Sequence, residues 1–374
     1  MTRSLPDYPW DTLVPFREKA AQHPDGVVDL SIGSPVDPTP PIVREALTAA
    51  TDAHAYPTTV GTLELRQAIV DWYARRRNVP DLEHRNVLPT IGSKELVALL
   101  PFLLGLGPGD VVVHPTAAYP SYAIGAELCG AHACASDDPD AWPDGTRLIW
   151  LNSPGNPDGR VHDIDALRRA VARARQLDAV IVNDECYAEL GWEEPWADAP
   201  TPCILDPRVT GGDRRGILSI YSLSKQSNMA GYRAAFAAGC GGVIASLTNV
   251  RKHAGLMVPA PLQHAMTVAL SDDAHVAAQK QLYRRRRDVL VPALTAAGFR
   301  IEHSEAGLYL WVTEGRDAWQ SIDRLASLGI IGGPGHFYGE HYPEFVRLSL
   351  TAADERVDAG AARLRAAASG GETL

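Results

Sequence analysis

Residues 219–239 read SIYSLSKQSNMAGYRAAFAAG. The apolar run 217–221 has the length of a buried strand, and 234–238 is a second apolar run. Between them stand the hydroxyls of Ser222 and Ser224, the amine of Lys225, a small hinge at Gly231 and the guanidinium of Arg233. A lysine amine at a strand end can form a Schiff base with a carbonyl cofactor, while serine and arginine hold a phosphate nearby. Taken alone, the stretch reads as readily as a polar loop with a solvated lysine.

The surrounding chain repeats the arrangement. Residues 87–91 read as a strand, followed by Gly92-Ser93-Lys94-Glu95 and a strongly apolar helix over 96–104. Such a turn presents free N–H groups and the positive end of a helix dipole to an anion. A strand over 110–114 leads through Ala118-Tyr119-Pro120 into a helix. A strand over 147–151 ends in the rigid loop Asn152-Ser153-Pro154-Gly155-Asn156-Pro157-Asp158-Gly159. After a helix over 163–176, a strand over 179–182 ends in Asn183-Asp184-Glu185-Cys186-Tyr187. Alternating strands and helices predict an α/β fold with a parallel, doubly wound sheet. Ligands bind such sheets at the carboxyl ends of the strands, and five polar clusters fall on that one edge. Surface solvation does not explain five.

Beyond residue 243 helices dominate to 270, and a long helix spans 272–297. An α+β tail follows, with strands at 307–312, 329–331 and 345–350, the last containing Arg347. At about 100–200 residues per domain, 374 residues make two or three domains. The expected division is an N-terminal segment 1–40 packing with the small domain, a large domain 41–271 and a small C-terminal domain 272–374. The arginine runs 75–77 and 284–287 read as solvated helix surface.

A formal net charge of −10 argues against general nucleic-acid affinity. Five cysteines without a CxxC fit free thiols in a reducing cytoplasm. The N-terminus lacks the apolar core of a secretory signal, and no window approaches a membrane span. A cytoplasmic protein without membrane partners is expected. The histidines, among them His253, His264 and His336, show no metal spacing, so no metal site is expected.

With these motifs placed, the chain resembles the class I/II pyridoxal-phosphate aminotransferases of the aspartate aminotransferase fold type. The likeness rests on S-x-S-K-x5-G-x-R (222–233), N-x-P-x-N-P-x-G (152–159) and D-x-x-Y (184–187), in order and at compatible spacing. It implies a PLP-transferase type I fold, with a mainly parallel sheet in a large domain and a smaller α+β domain. Lys225 would carry pyridoxal 5′-phosphate and move the substrate's α-proton. Asp184 would keep the ring nitrogen protonated, and Tyr187 and Asn156 would bond the ring hydroxyl. Tyr119 would stack on the ring. The backbone groups of Ser93 and Lys94, with Ser222 and Arg233, would hold the phosphate, and Tyr56 would reach it from a neighbouring subunit of a homodimer. Arg347 would clamp the substrate carboxylate, with Gly33 and Asn156 beside it. Where the family's turn carries threonine, this chain has Asp158, whose carboxylate is expected to point away from an anionic cofactor.

Whole segments, including 28–38, 91–101, 151–161, 183–192, 251–261 and 306–311, are similar to the succinyldiaminopimelate transaminases of lysine biosynthesis. That resemblance implies amino transfer between glutamate and N-succinyl-2-amino-6-oxopimelate. The substrate carries several carboxylates, for which Arg251, Lys252 and Lys94 are candidate partners. An aminotransferase of specialised metabolism, or a lyase using the same cofactor, would share every motif. A regulatory binding module would need a basic DNA-binding extension that this N-terminus lacks.

Overall fold

Apolar runs ending in glycine, serine or asparagine clusters become the strands of this chain, described over residues 5–369 by a computed structural model. The strands are β1 Val28–Asp29, β2 Val87–Ile91, β3 Val111–His114, β4 His132–Ala135, β5 Thr146–Asn152, β6 Val180–Asp184 and β7 Ile217–Ser222. They continue with β8 Ala234–Gly239, β9 Arg300–Glu302, β10 Tyr309–Thr313, β11 Ile330–Ile331, β12 Gly333–Pro334 and β13 Phe345–Ser349. Three of them, β4, β9 and β12, lie where no strand is expected from the sequence. Each is two to four residues long, and β4, HACA, is a half-exposed edge without an apolar run.

Seven strands form one sheet in the order β2-β8-β7-β6-β5-β3-β4. The pairs β4/β3, β3/β5, β5/β6 and β6/β7 are parallel, whereas β8 runs antiparallel to both β7 and β2. A parallel crossover needs a dozen or more residues, and only residues 223–233 separate β7 from β8. The reversal has a consequence for the site. Ala234 begins β8 opposite Ile91 and next to the Ser222 end of β7, so Arg233 lands on the same edge as the strand ends.

Side chains alternate between the sheet's two faces. In β7, Ile217 and Tyr221 join a core with Trp72, Tyr73, Phe236 and Met266, while Leu218 and Ile220 join Leu96, Tyr122 and Trp150 on the other face. A smaller antiparallel sheet, β12-β13-β10-β9, and the parallel pair β1/β11 lie around a third core. Leu13, Val28 and Leu30 of the N-terminal stretch pack there with Tyr283, Trp311 and Leu348. Among the described residues, no helix is long and apolar enough to cross a membrane.

Both arginine runs depart from a solvated surface. Arg77 is buried, and its Nη2 donates 2.9 Å to the equally buried Glu185. Arg75 pairs with Asp273 and Arg76 with Glu189. In the second run Arg286 is buried between Asp37 and Asp354, Arg285 pairs with Asp358 and Arg287 with Glu193. A helix distributes consecutive residues around its circumference, so one member of each run points into the protein, where only a carboxylate offsets its desolvation.

Candidate active site

The carboxyl ends of β5, β6 and β7 and the N-terminus of the helix Ser93–Leu103 face Ile32, Gly33, Tyr309 and Arg347 across a cavity of about 250 Å³. Ser93, Lys94, Tyr119, Asn156, Asp184, Tyr187, Ser222, Lys225, Arg233, Gly33 and Arg347 all line it. Tyr56 does not; it is 96% exposed on this chain.

Lys225 lies on the short helix Leu223–Gln226, whose first turn is capped by Ser222: the Ser224 N–H donates 3.2 Å to Ser222 Oγ. The Lys225 amine donates to the Gly33 carbonyl. Burial pushes that amine below the ordinary lysine value, and the Arg347 and Arg233 charges act in the same sense. Gly33 has no steric alternative here, because a Cβ would overlap the Tyr309 hydroxyl.

Asp184 closes β6. Burial raises its carboxyl pKa, opposed by its hydrogen bonds. The Tyr122 hydroxyl donates 3.0 Å to Oδ2 and the Cys186 N–H 3.2 Å to Oδ1. The loop after β5 is folded onto the same strand end. Asn152 Nδ2 donates 2.9 Å to the Asp184 carbonyl, and Asn152 Oδ1 accepts the Asn156 N–H at 2.8 Å. Asp158 turns back onto this loop, its Oδ1 accepting the Arg160 N–H at 3.2 Å, and does not line the cavity.

Arg347 stands mid-strand in β13, 3% exposed, with its guanidinium 3.9 Å from the centre of the Tyr309 ring and 4.8 Å from that of Tyr338. Nη1 donates 2.8 Å to Asn156 Oδ1 and Nη2 2.7 Å to the Ser31 carbonyl, and Nε has no partner. Among the described residues no carboxylate pairs with it. A buried guanidinium without a counter-charge, open to a cavity, has the chemistry to receive a carboxylate. Tyr187 and Tyr309 are buried with their hydroxyls 3.4 Å apart. Burial would raise the Tyr309 phenol, but the Arg347 and Lys225 charges outweigh it and hold the phenol below its usual value.

The remaining wall is an anion cradle. Gly92 has φ +75°, and a Cβ there would overlap Arg233 Nη2. The guanidinium therefore lies against the free N–H end of the helix Ser93–Leu103, with the Ser222 and Ser224 hydroxyls nearby, 2.8 Å apart. Among the described residues Arg233 has no carboxylate partner either. Cradle, buried carboxylate and amine fit a phosphorylated, ring-nitrogen-bearing aldehyde.

Asn152 and Cys186, from two of the expected strand-end clusters, line the cavity as well, and so do Tyr8, Trp10, Tyr122 and Tyr309, which sequence reading alone does not assign to this site. Tyr122 had a signal, one helical turn after Tyr119. Tyr8 and Trp10 had none, since only the tertiary fold brings the N-terminal stretch to the cavity.

A model of the family described as aminotransferase class I and II matches residues 25–364. The 4-dedimethylamino-4-oxo-anhydrotetracycline transaminase OxyQ of Streptomyces rimosus is 50% identical over 97% of this chain and 99% of its own length. A probable aminotransferase of Mycobacterium tuberculosis is 49% identical over 97% of this chain and 86% of its own. Among solved structures, a probable N-succinyldiaminopimelate aminotransferase from Thermus thermophilus superposes with a TM-score of 0.86 at 28% identity, covering 96% of this chain and all of that one.

Proposed function

Because this chain belongs to the class I and II aminotransferases, we propose that it moves an amino group from L-glutamate to an oxo acceptor in the cavity around Lys225. The cofactor is pyridoxal 5′-phosphate, which supplies an aldehyde that condenses with amines and a ring that accepts electrons. The observation that carries the reading is one cavity holding a lysine amine with a depressed pKa and a buried guanidinium without a counter-charge. Arg347 orients the substrate carboxylate, so that the α-hydrogen faces Lys225 Nζ. Lys225 would take the proton from Cα and pass it to the carbon that the cofactor supplies, not back to Cα. Asp184 would keep a proton on the cofactor's ring nitrogen, and Tyr187 and Asn156 would hold its hydroxyl. The backbone groups of Ser93 and Lys94, with Ser222 and Arg233, would hold the phosphate, and Tyr119 would stack on the ring. In a homodimer Tyr56 would serve the partner's site. The division at residues 40 and 271 belongs to the same reading.

N-succinyl-2-amino-6-oxopimelate is the acceptor that the segment resemblances support, and it needs cations beyond Arg347. Of the three expected for it, Arg251 is buried with Nη1 2.7 Å from Glu95 Oε1, and Lys252 does not line the cavity. Lys94 does. A second reading is an acceptor of specialised metabolism. It is favoured by the aromatic side chains Tyr8 and Trp10 at the cavity and by the identity to a transaminase of an oxo-anhydrotetracycline.

The test is a pair of half-reactions followed by visible absorbance. L-glutamate converts the loaded protein to its amino form, and candidate oxo acids reverse it. Selective reversal by the succinylated oxopimelate supports the first acceptor, and reversal only by other ketones the second. Product formation without any amino acceptor would favour the lyase chemistry instead.

A further inference from the structure

The mouth of the cavity is built of aromatic rings around one cation. Tyr8 precedes the 3-10 turn Pro9–Leu13 and Trp10 lies on it, their rings stacked at 5.2 Å and 30°. Phe337 at 5.2 Å and Tyr338, edge-on at 6.4 Å, back Trp10. Tyr8 stays 55% exposed. The Lys94 ammonium is 5.9 Å from the Tyr8 ring centre and 5.8 Å from that of Tyr119. Among the described residues it has no carboxylate partner. The Trp10 indole N–H is buried without an acceptor. Tyr8, Trp10, Lys94 and Tyr119 line the same cavity as Lys225.

An exposed phenol face beside an unpaired ammonium stabilises the free protein little. Both gain when a ligand covers them. A flexible aliphatic diacid would use the cation and leave the ring faces largely unmatched, and it loses rotamer freedom on ordering. A planar unsaturated body stacks on the rings and can place an acidic group at the ammonium.

We propose that Tyr8, Trp10 and Lys94 form a distal subsite for a substrate with a planar, unsaturated body carrying an acidic group at its far end. That this ligand is an amino acceptor rests on the aminotransferase reading; the subsite itself does not. Calorimetry with the cofactor-loaded protein tests it without turnover, using a naphthalene dicarboxylate, the monoacid naphthoate and adipate as probes. The naphthalene diacid binds about tenfold more tightly than adipate, the size of one good stacking contact. Tyr8→Ala removes most of that preference, and Lys94→Met brings the diacid down to the affinity of naphthoate. Equal affinity for adipate, or a preference that survives Tyr8→Ala, overturns the subsite. Tight binding of the naphthalene diacid by a protein that aminates no ketone keeps the subsite and discards the aminotransferase.

Discussion

The Tyr122 hydroxyl donates a 3.0 Å hydrogen bond to Oδ2 of Asp184, inside the protein and in the wall of the cavity. Burial pushes the Asp184 carboxyl up, and this bond is one of the contacts that restrain it. Tyr122→Phe deletes a donor to the charged form, so the Asp184 pKa rises further. Activity that needs ionised Asp184 is lost as pH falls through that pKa. The acid limb of kcat/KM therefore moves to higher pH, by roughly one to two units for a bond to a charged group. The pH titration of the bound cofactor's visible spectrum moves with it. An acid limb that stays in place would show that Tyr122 only fills space.

On the proposed mechanism, Lys225→Ala removes the amine that would hold the cofactor and take the α-proton. Its hydrogen bond to Gly33 is a single contact at the cavity edge, so the fold survives. Transamination falls by at least about 10³-fold, within the range for losing a general base. Visible absorbance and rapid-quench product assays read the two roles separately. Turnover within about tenfold of the unaltered protein would sink the assignment.

Much of this was legible in the residues. Lys225, Asp184 and Asn156 sit in polar clusters that fall at strand ends on one sheet edge, Arg233 was assigned its role only by the family resemblance, and the cavity brings all four together. The reversed strand β8 was not legible, because an apolar run carries no direction. Arg77 and Arg286 were misread for a related reason. A run of like charges shows no phase, and only packing decides which member faces inward. Trp10 reaches the cavity through contacts with Phe337 and Tyr338, more than 300 residues away, a separation that no local pattern encodes, and Tyr8 stacks on Trp10.

Gly92→Ala tests the anion cradle. The residue has φ +75°, and its Cβ would overlap Arg233 Nη2. The substitution costs about 1–3 kcal/mol of stability, because φ +75° with ψ 163° is a backbone conformation that essentially only glycine adopts, and it displaces the guanidinium. Cofactor affinity falls at least about tenfold, as one charge-assisted contact is lost. Equilibrium dialysis of pyridoxal phosphate measures it. Unchanged affinity would mean that Arg233 does not hold the phosphate.

Asp37 ties the proline-rich stretch 35–41 to the long helix Ala274–Ala296. Its carboxylate accepts from Arg286 Nη1 at 2.8 Å, from Arg286 Nη2 and from Gln279 Nε2 at 2.8 Å. Burial alone would raise its pKa, but these donors outweigh burial and hold it below the usual value. A lowered folded-state pKa contributes stability above the unfolded value of about 3.9, and loses it as pH falls through the folded one. Asp37→Asn thus destabilises by about 1–2 kcal/mol at neutral pH, since Asp354 still pairs with Arg286, and the gap to the unaltered protein narrows below about pH 4. Urea unfolding at both pH values decides the matter; a gap independent of pH excludes an electrostatic origin.

Arg77 and Glu185 form an ion pair with both side chains 1% exposed, directly behind the Asp184 end of β6. Glu185 also accepts from the Ile204 N–H at 2.8 Å and from Asn183 Nδ2 at 3.0 Å. Arg77→Met leaves a buried carboxylate facing no cation and costs about 3–5 kcal/mol. Glu185→Gln alone leaves the guanidinium without its counter-charge, although the Thr201 carbonyl at 2.9 Å still accepts from it. In the double variant the charge problem disappears, while the carbonyl of the introduced amide can keep the Ile204 and Asn183 bonds. Chemical unfolding of all four proteins closes a double-mutant cycle. The double variant is expected to be more stable than Arg77→Met by at least about 2 kcal/mol. If the two losses simply add, the pair is not what holds this end of β6, and the placement of Asp184 must come from Asn152 and Tyr122 instead.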